Sequence, residues 1–463
     1  MDKFPSSARA ILATGLIAAL RSRGHEAYLV GGCVRDRLLG ITPKDFDVAT
    51  DALPDQVLQY FPEARLVGAQ FGVVLVSGGE SIQVEVATFR SEAAYSDGRR
   101  PDTVRFESQP VRDARRRDFT INALFQDPLS GEVFDYVGGQ ADLEAKLIRA
   151  IGNPEKRFEE DHLRLLRAIR FAARLGFSIE SGTFSAIQRV AHQITRISPE
   201  RIRDELVRIL SEGEPRRGFE LLDSSDLLAH VAPEIKACQG VQQPPEYHPE
   251  GDVWTHVMLM LEGMRNPVPS LALGVLFHDV GKPPTFRIAD RIRFDGHAEV
   301  GADMTRDWLR RLRFSNEDVE QVTSLVANHM RFKDVQQMRL GTLKRFLRLP
   351  HFDQHLELHR LDCLSSNGRL DSYDFVRAKL NELDREALRP APLVTGHDLI
   401  RAGYTPGQAF GEALSAVETA QLEGEIQTRE EALVLARKTL DRVLGDSAKV
   451  DKISSGTSIP GIQ

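Results

Sequence analysis

The chain has 463 residues, of which 41% are apolar and 27% charged, a composition that fits a folded globular protein and excludes a disordered one. At roughly 150 residues per domain, the length predicts about three domains. No run approaches the ~18 apolar residues of a membrane span, so no membrane partner is expected. The three cysteines are widely spaced and suggest no disulfide framework, which favours the reducing cytoplasm. They are Cys33, Cys238 and Cys363.

The net charge of −7 does not by itself indicate a nucleic-acid partner. Basic residues nevertheless cluster in one part of the chain, at Arg99-Arg100, at Arg115 to Arg117, between Arg164 and Arg174, and at Arg201 and Arg203. Such runs are usually solvated helix faces, and a track for a polyanion is the alternative. Composition alone leaves both readings open.

The first predicted elements form a phosphate-binding arrangement. After an amphipathic helix at Ala8 to Leu20, a short apolar strand ends in Gly31-Gly32, and a helix begins at Val34. Glycines let the backbone approach an anion, and the amino end of a helix offers free N–H groups. Arg35 adds a forked cation. Because Gly-Gly turns are common, this motif alone is weak.

A pair of carboxylates follows, Asp45 and Asp47, in a segment that alternates charged and apolar residues up to Ala49. In a strand, residues i and i+2 point to the same face, so the two carboxylates repel each other. A divalent cation, above all Mg²⁺, removes that repulsion and bridges to nucleotide phosphates. Two solvated aspartates on an edge strand are the alternative. Glu85 is either a third carboxylate or the polar face of its own strand.

Two further strands are predicted at Phe71 to Val76 and at Ile82 to Thr88, joined by a hairpin connection. The polar and basic stretch from Ser91 to Asp102 contains Gly98 and Pro101 as turn residues, and it predicts an exposed, mobile loop. A plain connection is the simpler reading of that loop.

Helical patterns extend from about Glu159 to Leu210, and within them Asp161 and Arg164 are i, i+3 neighbours. One is a fixed acceptor and the other a forked donor, so together they could read a base edge as a partner base would. The alternative is a surface ion pair worth a few tenths of a kcal/mol.

A second helical block follows a Gln- and Pro-rich linker at 239–245, and eight of the 13 histidines lie between His248 and His359. An adjacent His-Asp pair together with distant His and Asp residues can bind a divalent metal through mixed nitrogen and oxygen ligands. The candidate ligands are His256, His278, Asp279 and Asp362, with His297 and His329 as possible ligands of a second metal.

Five ordered segments in the first half resemble the class II tRNA nucleotidyltransferase and bacterial poly(A) polymerase family, within the polymerase β superfamily. They are Leu29 to Asp36 with Asp45 to Asp47, Arg116 to Ala123, Asp135 to Leu143, Glu160 to Phe171, and Ser198 to Glu205. The resemblance implies an α+β fold, with a polymerase β-like nucleotidyltransferase domain (a mixed sheet with helices) followed by all-α neck, HD and tail domains.

The same resemblance implies roles for individual residues. Asp45 and Asp47 would be catalytic and hold Mg²⁺. The residues that would bind the nucleotide are Gly31, Gly32 and Arg35 at the triphosphate, Arg117, Asp118 and Asn122 at sugar and phosphate, and Asp161 and Arg164, with Arg167 and Arg170, at the base.

The string from Leu276 to Pro283 resembles the HD phosphohydrolase superfamily, whose site would take Mn²⁺, Ni²⁺ or Mg²⁺. The segment from Gly396 to Gly424 resembles the RNA-binding tail of nucleotidyltransferases that carry an HD block. We therefore predict a nucleotidyltransferase domain at 1–150, a helical neck at 151–238, an HD domain at 245–388, a helical RNA-binding segment at 393–445 and a disordered tail at 446–463.

The resemblance implies a cytoplasmic enzyme that extends the tRNA 3′ end with CCA from CTP and ATP, without a nucleic-acid template. In this family, enzymes restricted to adding CC lack a flexible loop in the region of 91–102, so the loop predicts addition of at least the terminal A. An A-adding enzyme or a poly(A) polymerase is the nearest alternative. A metal-dependent HD phosphohydrolase whose first half binds RNA is the alternative of a different class.

Overall fold

The structure is a computed structural model that describes residues 7–67, 72–79, 82–93, 103–383 and 388–454. Most of the loop predicted at 91–102 lies outside these residues, as residues 94–102 are not described. Throughout the described ranges, every helix is too short or too polar to cross a bilayer.

The described part of the first 150 residues is built on a seven-stranded mixed sheet with strand order β3-β4-β5-β2-β1-β8-β9. Strands β2 and β5 pair in parallel, and the other neighbours pair antiparallel. Strands β6 and β7 form a separate hairpin. The bounds are β1 Ala27–Val30, β2 Asp47–Thr50, β3 Arg65–Leu66, β4 Val73–Ser77, β5 Gln83–Thr88, β6 Arg90–Ala93, β7 Thr103–Phe106, β8 Leu124–Gln126 and β9 Val133–Asp135.

The predicted strands at 71–76 and 82–88 are confirmed by β4 and β5, and the predicted first helix is confirmed as α1, Ala8–Arg21. One boundary differs. The sequence predicted a strand from Asp45, but β2 begins only at Asp47, because its pairing with β1 starts there, opposite Val30. Asp45 therefore precedes the strand instead of sharing its face.

Helices cover most of the remaining described chain. Those before residue 240 are α2 Gly32–Leu38, α3 Pro54–Tyr60, α4 Pro110–Arg116, α5 Gly139–Glu144, α6 Pro154–Glu160, α7 Arg164–Leu175, α8 Ser181–Val190, α9 Pro199–Ser211, α10 Pro215–Ser224, α11 Leu228–Val231 and α12 Pro233–Lys236. Short 3₁₀ segments cover Thr120–Asn122 and Ala191–Arg196, and β10 Leu147–Ile148 pairs with β11 Ser178–Ile179.

The helix predicted around Asp161 is interrupted there. Helix α6 ends at Glu160, Asp161 has an extended backbone, and α7 begins at Arg164. The Asp161 carboxylate accepts a hydrogen bond from the Leu163 N–H at 3.0 Å, a local bond that competes with helix formation. Asp161 and Arg164 therefore belong to two different elements.

The second half is helical, as predicted, apart from a two-stranded hairpin, β12 Arg287–Ile288 with β13 Ile292–Arg293. Its helices are α13 Val253–Gly263, α14 Pro269–Phe277, α15 Lys282–Thr285, α16 His297–Arg311, α17 Asn316–Asn328, α18 Leu340–Leu347, α19 Phe352–Ser365, α20 Asp371–Glu382, α21 Gly396–Arg401, α22 Gln408–Glu423 and α23 Arg429–Ser454, with a 3₁₀ segment at His329–Gln337.

The predicted disordered tail from 446 differs from the structure, since α23 continues to Ser454. Residues 446–454 contain no glycine or proline, so nothing in the sequence interrupts the helix there. Residues 455–463 lie outside the described residues. One buried apolar cluster extends from Ala10 to Leu361, and the last three helices have a separate cluster. The fold is thus α+β, as predicted.

Candidate functional site

A first cavity of about 860 Å³ lies between the amino-terminal sheet and helices α7 and α9. It brings together every residue predicted at the nucleotide. Those lining it are Gly31, Gly32, Arg35, Asp45, Asp47, Arg117, Asp118, Asn122, Asp161, Arg164, Arg167 and Arg170. Segments that are up to 139 positions apart in the sequence therefore face one space.

The glycine turn shapes the floor of the first cavity. Gly31 has φ +79°, a left-handed conformation that L side chains rarely adopt. A Cβ there would lie 3.2 Å from Nη1 of Arg117, so the turn also lets this guanidinium come close. The Gly31 N–H donates to the Leu124 carbonyl at 3.1 Å, which fixes the turn against β8.

Two of the predicted carboxylates, Asp45 and Asp47, line the first cavity, whereas Glu85 does not. Asp47 pairs in register with Glu85 of the parallel strand β5. Burial raises the pKa of Asp47 to about 6, and the neighbouring charge of Glu85 adds to the rise. Asp45 is 82% exposed and lies 3.1 Å from Nη1 of Arg9. Carboxylate oxygens are the ligands that Mg²⁺ prefers, and a cation would relieve the repulsion between Asp47 and Glu85.

Arg35 is held inside the protein, with 2% of its side chain exposed. It donates to Oδ1 of Asp36 at 2.8 and 2.5 Å and to Oδ1 of Asn122 at 2.6 Å. Arg174 donates to the other oxygen of Asp36 at 2.9 Å. Helix α2 is thereby linked to α7 through Arg174 and to the 3₁₀ segment at Asn122 through Arg35, and direct contact of Arg35 with a triphosphate stays a prediction.

Asp118 links the amino-terminal domain to α7. Its Oδ2 accepts from Arg167 at 2.9 and 2.6 Å, and its Oδ1 accepts from Asn122 at 3.1 Å. Burial alone would raise the pKa of Asp118, but Arg167 and Asn122 outweigh it and hold the pKa well below the usual range. Arg117 donates to Oδ2 of Asp113 at 3.1 and 2.9 Å. These ion pairs build the cationic wall of the first cavity.

Asp161 and Arg164 both face the first cavity, but they do not form the surface ion pair considered above. Asp161 accepts from Nη2 of Arg201 at 2.8 Å, and Arg164 donates to Oε2 of Glu160 at 2.6 Å. Arg201 was not among the predicted site residues, although it lies in a basic cluster and in the last of the segments that carry the family resemblance. Its other terminal nitrogen, Nη1, is buried and has no hydrogen-bond partner among the described residues.

Arg170 packs within the wall of the first cavity. It is 2% exposed and donates to Oε2 of Glu205 at 2.6 Å, which joins α7 to α9. The Phe171 ring lies 4.3 Å from the Arg170 guanidinium and meets Phe119 edge-on. Both side chains contribute to the packing of the neck.

The predicted metal-ligating residues of the second half converge as two groups. Ligand atoms of His256, His278 and Asp362 all lie within 4.8 Å of one another, as do those of Asp279, His297 and His329. We call these six residues the histidine cluster. They come from α13, the end of α14, the start of α16, the 3₁₀ segment at His329 and α19.

A close backbone contact brings two parts of the histidine cluster together. Gly281 follows the His278-Asp279 pair, and a Cβ there would lie 2.1 Å from the His297 carbonyl oxygen. Only glycine allows the turn after α14 to approach the start of α16 this closely.

Three imidazoles of the histidine cluster are held in the same way. The Nδ1 atoms of His278, His297 and His329 lie 2.9, 2.8 and 2.6 Å from the backbone carbonyl oxygens of residues 275, 294 and 326. An N–H at Nδ1 leaves the Nε2 lone pair free. The Nε2 of His278 is buried without a hydrogen-bond partner in the described structure. These donors fit a divalent transition metal.

Two pKa shifts agree with a cation at the histidine cluster. Burial lowers the pKa of His329 to about 3, so its imidazole is neutral and able to ligate. Burial would also lower the pKa of His256, but the Asp362 and Glu250 carboxylates raise it to about 9. A metal ion would replace the proton that these carboxylates hold on His256.

A second cavity of about 420 Å³ opens onto the histidine cluster. Its lining includes the carboxylates of Asp279, Asp295 and Asp362, apolar side chains, and four basic side chains, namely Lys282, Arg291, Arg293 and Lys333. Buried Lys282 donates to Oδ2 of Asp279 and to Oε1 of Gln243, both at 2.6 Å. Metal ligands beside cations suit an anionic ligand such as a phosphate ester. Lys282 was not among the predicted site residues, although it lies only three positions after Asp279.

Three regions of the chain match known protein families. Residues 27–149 match the poly A polymerase head domain, residues 176–239 the probable RNA and SrmB-binding site of polymerase A, and residues 252–362 the HD domain. Together with the first cavity and the histidine cluster, these matches define a nucleotidyltransferase of the poly A polymerase head type that carries an HD domain and uses divalent metal.

Relatives narrow the class further. The chain is 33% identical over 433 residues to a CCA-adding enzyme of Enterococcus faecalis, covering 91% of this chain and 94% of the relative. It is 43% identical over 210 residues to that of Ligilactobacillus salivarius, a match that spans 45% of this chain and about half, 52%, of the relative. The chain belongs to the family of CCA-adding enzymes.

Solved structures share the fold over most of the chain. The Bacillus stearothermophilus CCA-adding enzyme in complex with CTP superposes with a TM-score of 0.71 at 26% identity, covering 95% of this chain and all of the other. The Thermotoga maritima enzyme complexed with tRNA gives 0.56 at 20% identity, covering 94% and 95%, which supports the fold alone.

Proposed function

We propose that this chain completes the 3′-CCA end of tRNA from CTP and ATP without a nucleic-acid template. The observation that carries the proposal is the first cavity, in which the glycine turn, the carboxylates and the arginines of α7 and α9 face one space. Two relatives above are named for CCA addition, and one solved relative holds CTP. The enzyme would work in the cytoplasm, with the nucleotidyltransferase, neck, HD and RNA-binding domains at the bounds predicted above.

Asp45 and Asp47 would hold Mg²⁺, with Glu85 beside Asp47. When bound, the metal supplies charge to the reacting phosphate and lowers the pKa of the attacking 3′-hydroxyl. The protein orients the nucleotide. Gly31 keeps the cavity floor open to the triphosphate, and Arg117 next to it supplies positive charge.

Base selection would fall to the cavity wall formed by Asp161 and Arg164. Each is already oriented by a protein partner, Arg201 and Glu160 respectively, so each presents its remaining polar atoms in a fixed direction. Fixed donors and acceptors lose less freedom on binding a base, which favours discrimination between C or A and the other bases.

We propose a phosphohydrolase activity at the histidine cluster, with Mn²⁺, Ni²⁺ or Mg²⁺. Support comes from the Nε2 atoms of His256 and His278, which are buried without a hydrogen-bond partner among the described residues, and from the basic side chains in the second cavity. His256, His278, Asp279 and Asp362 would hold one metal, and Asp279, His297 and His329 a second. A bound metal would lower the pKa of water for hydrolysis, while Lys282 and Arg293 would orient an anionic substrate.

The nearest alternatives are an A-adding enzyme and a poly(A) polymerase. The test gives purified protein tRNAs that end before, within and after CCA, with each nucleoside triphosphate separately. CTP should extend the tRNA that lacks CCA, and ATP should extend the tRNA that ends in CC. Addition of ATP alone would favour the A-adding alternative, while extension of a tRNA that already ends in CCA would favour poly(A) synthesis.

A further inference from the structure

Glu250 lies in the turn before α13, outside the residues assigned above to the metal. The neighbouring Asp252 pins this turn, since its carboxylate accepts from Gly240 N at 2.6 Å and from Thr255 N at 2.8 Å. The turn is therefore tied both to the preceding segment and to the first turn of α13. Only 7% of the Glu250 side chain is exposed, so the carboxylate faces the protein interior.

One oxygen of Glu250 contacts two imidazoles. Its Oε1 lies 2.8 Å from Nδ1 of His248, in an aligned hydrogen bond, and 2.7 Å from Nδ1 of His256, where the ring N–H is out of line. The two rings meet edge-on with centroids 5.0 Å apart. An ionised carboxylate only accepts, so it favours a proton on each Nδ1 and a lone pair on each Nε2.

The support of His256 differs from that of the other imidazoles in the histidine cluster. Backbone carbonyls hold His278, His297 and His329. The atom that faces Nδ1 of His256 is instead a charged carboxylate oxygen, 2.7 Å away but out of line, while Nε2 of His256 lies 3.2 Å from Oδ1 of Asp362, on the metal side. A carboxylate behind a ligating imidazole sets its tautomer and strengthens Nε2 as a donor.

We propose that Glu250 is a positioning residue of the metal centre at the histidine cluster. It holds His256 with Nδ1 protonated and Nε2 directed at the metal, and it bears no direct bond to the ion. This inference rests on the metal centre proposed above. Partners of this kind typically contribute 10–100-fold in metal affinity.

The test titrates the metal-free full chain with Co²⁺, followed by calorimetry and by the visible ligand-field absorption. Glu250→Ala should weaken Co²⁺ binding about 10–100-fold, leave the number of ions bound at saturation unchanged, and shift the absorption band. Glu250→Gln, whose amide oxygen still accepts one N–H, should recover part of the affinity. Glu246→Ala removes an exposed carboxylate from the same segment and should change nothing.

Three results would overturn the inference. Wild-type affinity and spectrum in Glu250→Ala would show that the carboxylate does not position His256. Loss of one whole ion at saturation would make Glu250 a direct ligand. Wild-type protein that binds no Co²⁺ would remove the metal centre and the inference with it. CTP addition by Glu250→Ala reports whether that variant folds. If Glu250→Ala does not fold, the Co²⁺ affinity and spectrum of Glu250→Gln test the inference instead.

Discussion

The first cavity and the histidine cluster hold their charges in opposite ways. In the first cavity, Arg35 and Arg167 donate to the protein's own carboxylates, Asp36 and Asp118, in aligned hydrogen bonds. In the histidine cluster, ring nitrogens such as Nε2 of His278 face other ligand atoms without an aligned partner. The difference fits the two proposed sites, since the arginines of the first cavity are already held in place for a triphosphate, whereas the histidine cluster leaves donor atoms for a metal ion.

Removing a carboxylate from the first cavity should separate the two sites most clearly. We expect Asp47→Asn to lower CTP addition by ~10³-fold or more, because a catalytic metal supplies several kcal/mol in the transition state. Single-turnover extension of a tRNA lacking CCA measures the rate, with exposed Asp55→Asn as the matched control. Metal bound at the histidine cluster should stay unchanged, and a wild-type rate would contradict the assignment.

The converse change removes a ligand from the histidine cluster. Asp279→Ala should lower the affinity for transition metal by roughly 100-fold or more. A direct ligand contributes at least as much to metal affinity as a residue that only hydrogen-bonds to a ligand. Elemental analysis after dialysis gives the metal content, and Asp303→Ala on the exposed side of α16 is the control. CTP addition should persist. If it vanished while the protein stayed folded, the two sites would not be separable.

The ion pair between Asp118 and Arg167 in the first cavity should stabilise the fold, and this contribution to the free energy of unfolding should depend on pH. Asp118→Asn should cost roughly 2 kcal/mol of unfolding free energy at pH 7, less than a fully buried pair because Arg167 is partly exposed. Because the folded-state pKa of Asp118 is lowered, its contribution is present above the ordinary pKa near ~3.9 and lost as pH falls below it.

Urea unfolding of wild type and Asp118→Asn at pH 7 and near pH 3 measures this contribution. The difference in free energy of unfolding between the two proteins should be smaller at the lower pH. The exposed variant Asp204→Asn should differ little from wild type at either pH. If the difference in free energy of unfolding between wild type and Asp118→Asn did not change with pH, the charge of Asp118 would add nothing to stability.

Substitutions of the two residues proposed to select the base should have a smaller effect on activity. Asp161→Ala or Arg164→Ala should reduce the preference for CTP and ATP over UTP and GTP by about ten- to a hundredfold, the cost of one charged hydrogen bond. Competition between labelled triphosphates at a single tRNA end measures this preference, with the surface variant Arg189→Ala as control. An unchanged preference in both variants would remove the pair from base selection.

Residue types and spacing predicted which chemistry the chain carries, because carboxylates and a His-Asp pair keep their identity in any fold. The partners could not be predicted in the same way. Arg35 finds Asn122 87 positions away, and Asp161 finds Arg201 40 positions away. Such contacts depend on how the elements pack, which periodicity does not determine.

Local competition accounts for the error at Asp161. The helical pattern from Glu159 onward contains no glycine or proline until Gly176, so nothing in it signals the break. The carboxylate of Asp161 accepts from the Leu163 N–H just before α7, and its bond to Arg201 holds the side chain in that turn. Glu250 escaped prediction for a similar reason, since its role depends on His248 and His256 meeting at one oxygen.

The intact mass of a tRNA lacking CCA, after incubation with both CTP and ATP, tests the central claim most directly. The account predicts a single product that is heavier by two cytidylates and one adenylate, with no further growth over time. Asp47→Asn should leave the substrate mass unchanged, and His278→Ala should give the wild-type product. A ladder of added adenylates, an adenylate only on tRNA already ending in CC, or no extension by the wild type would contradict it.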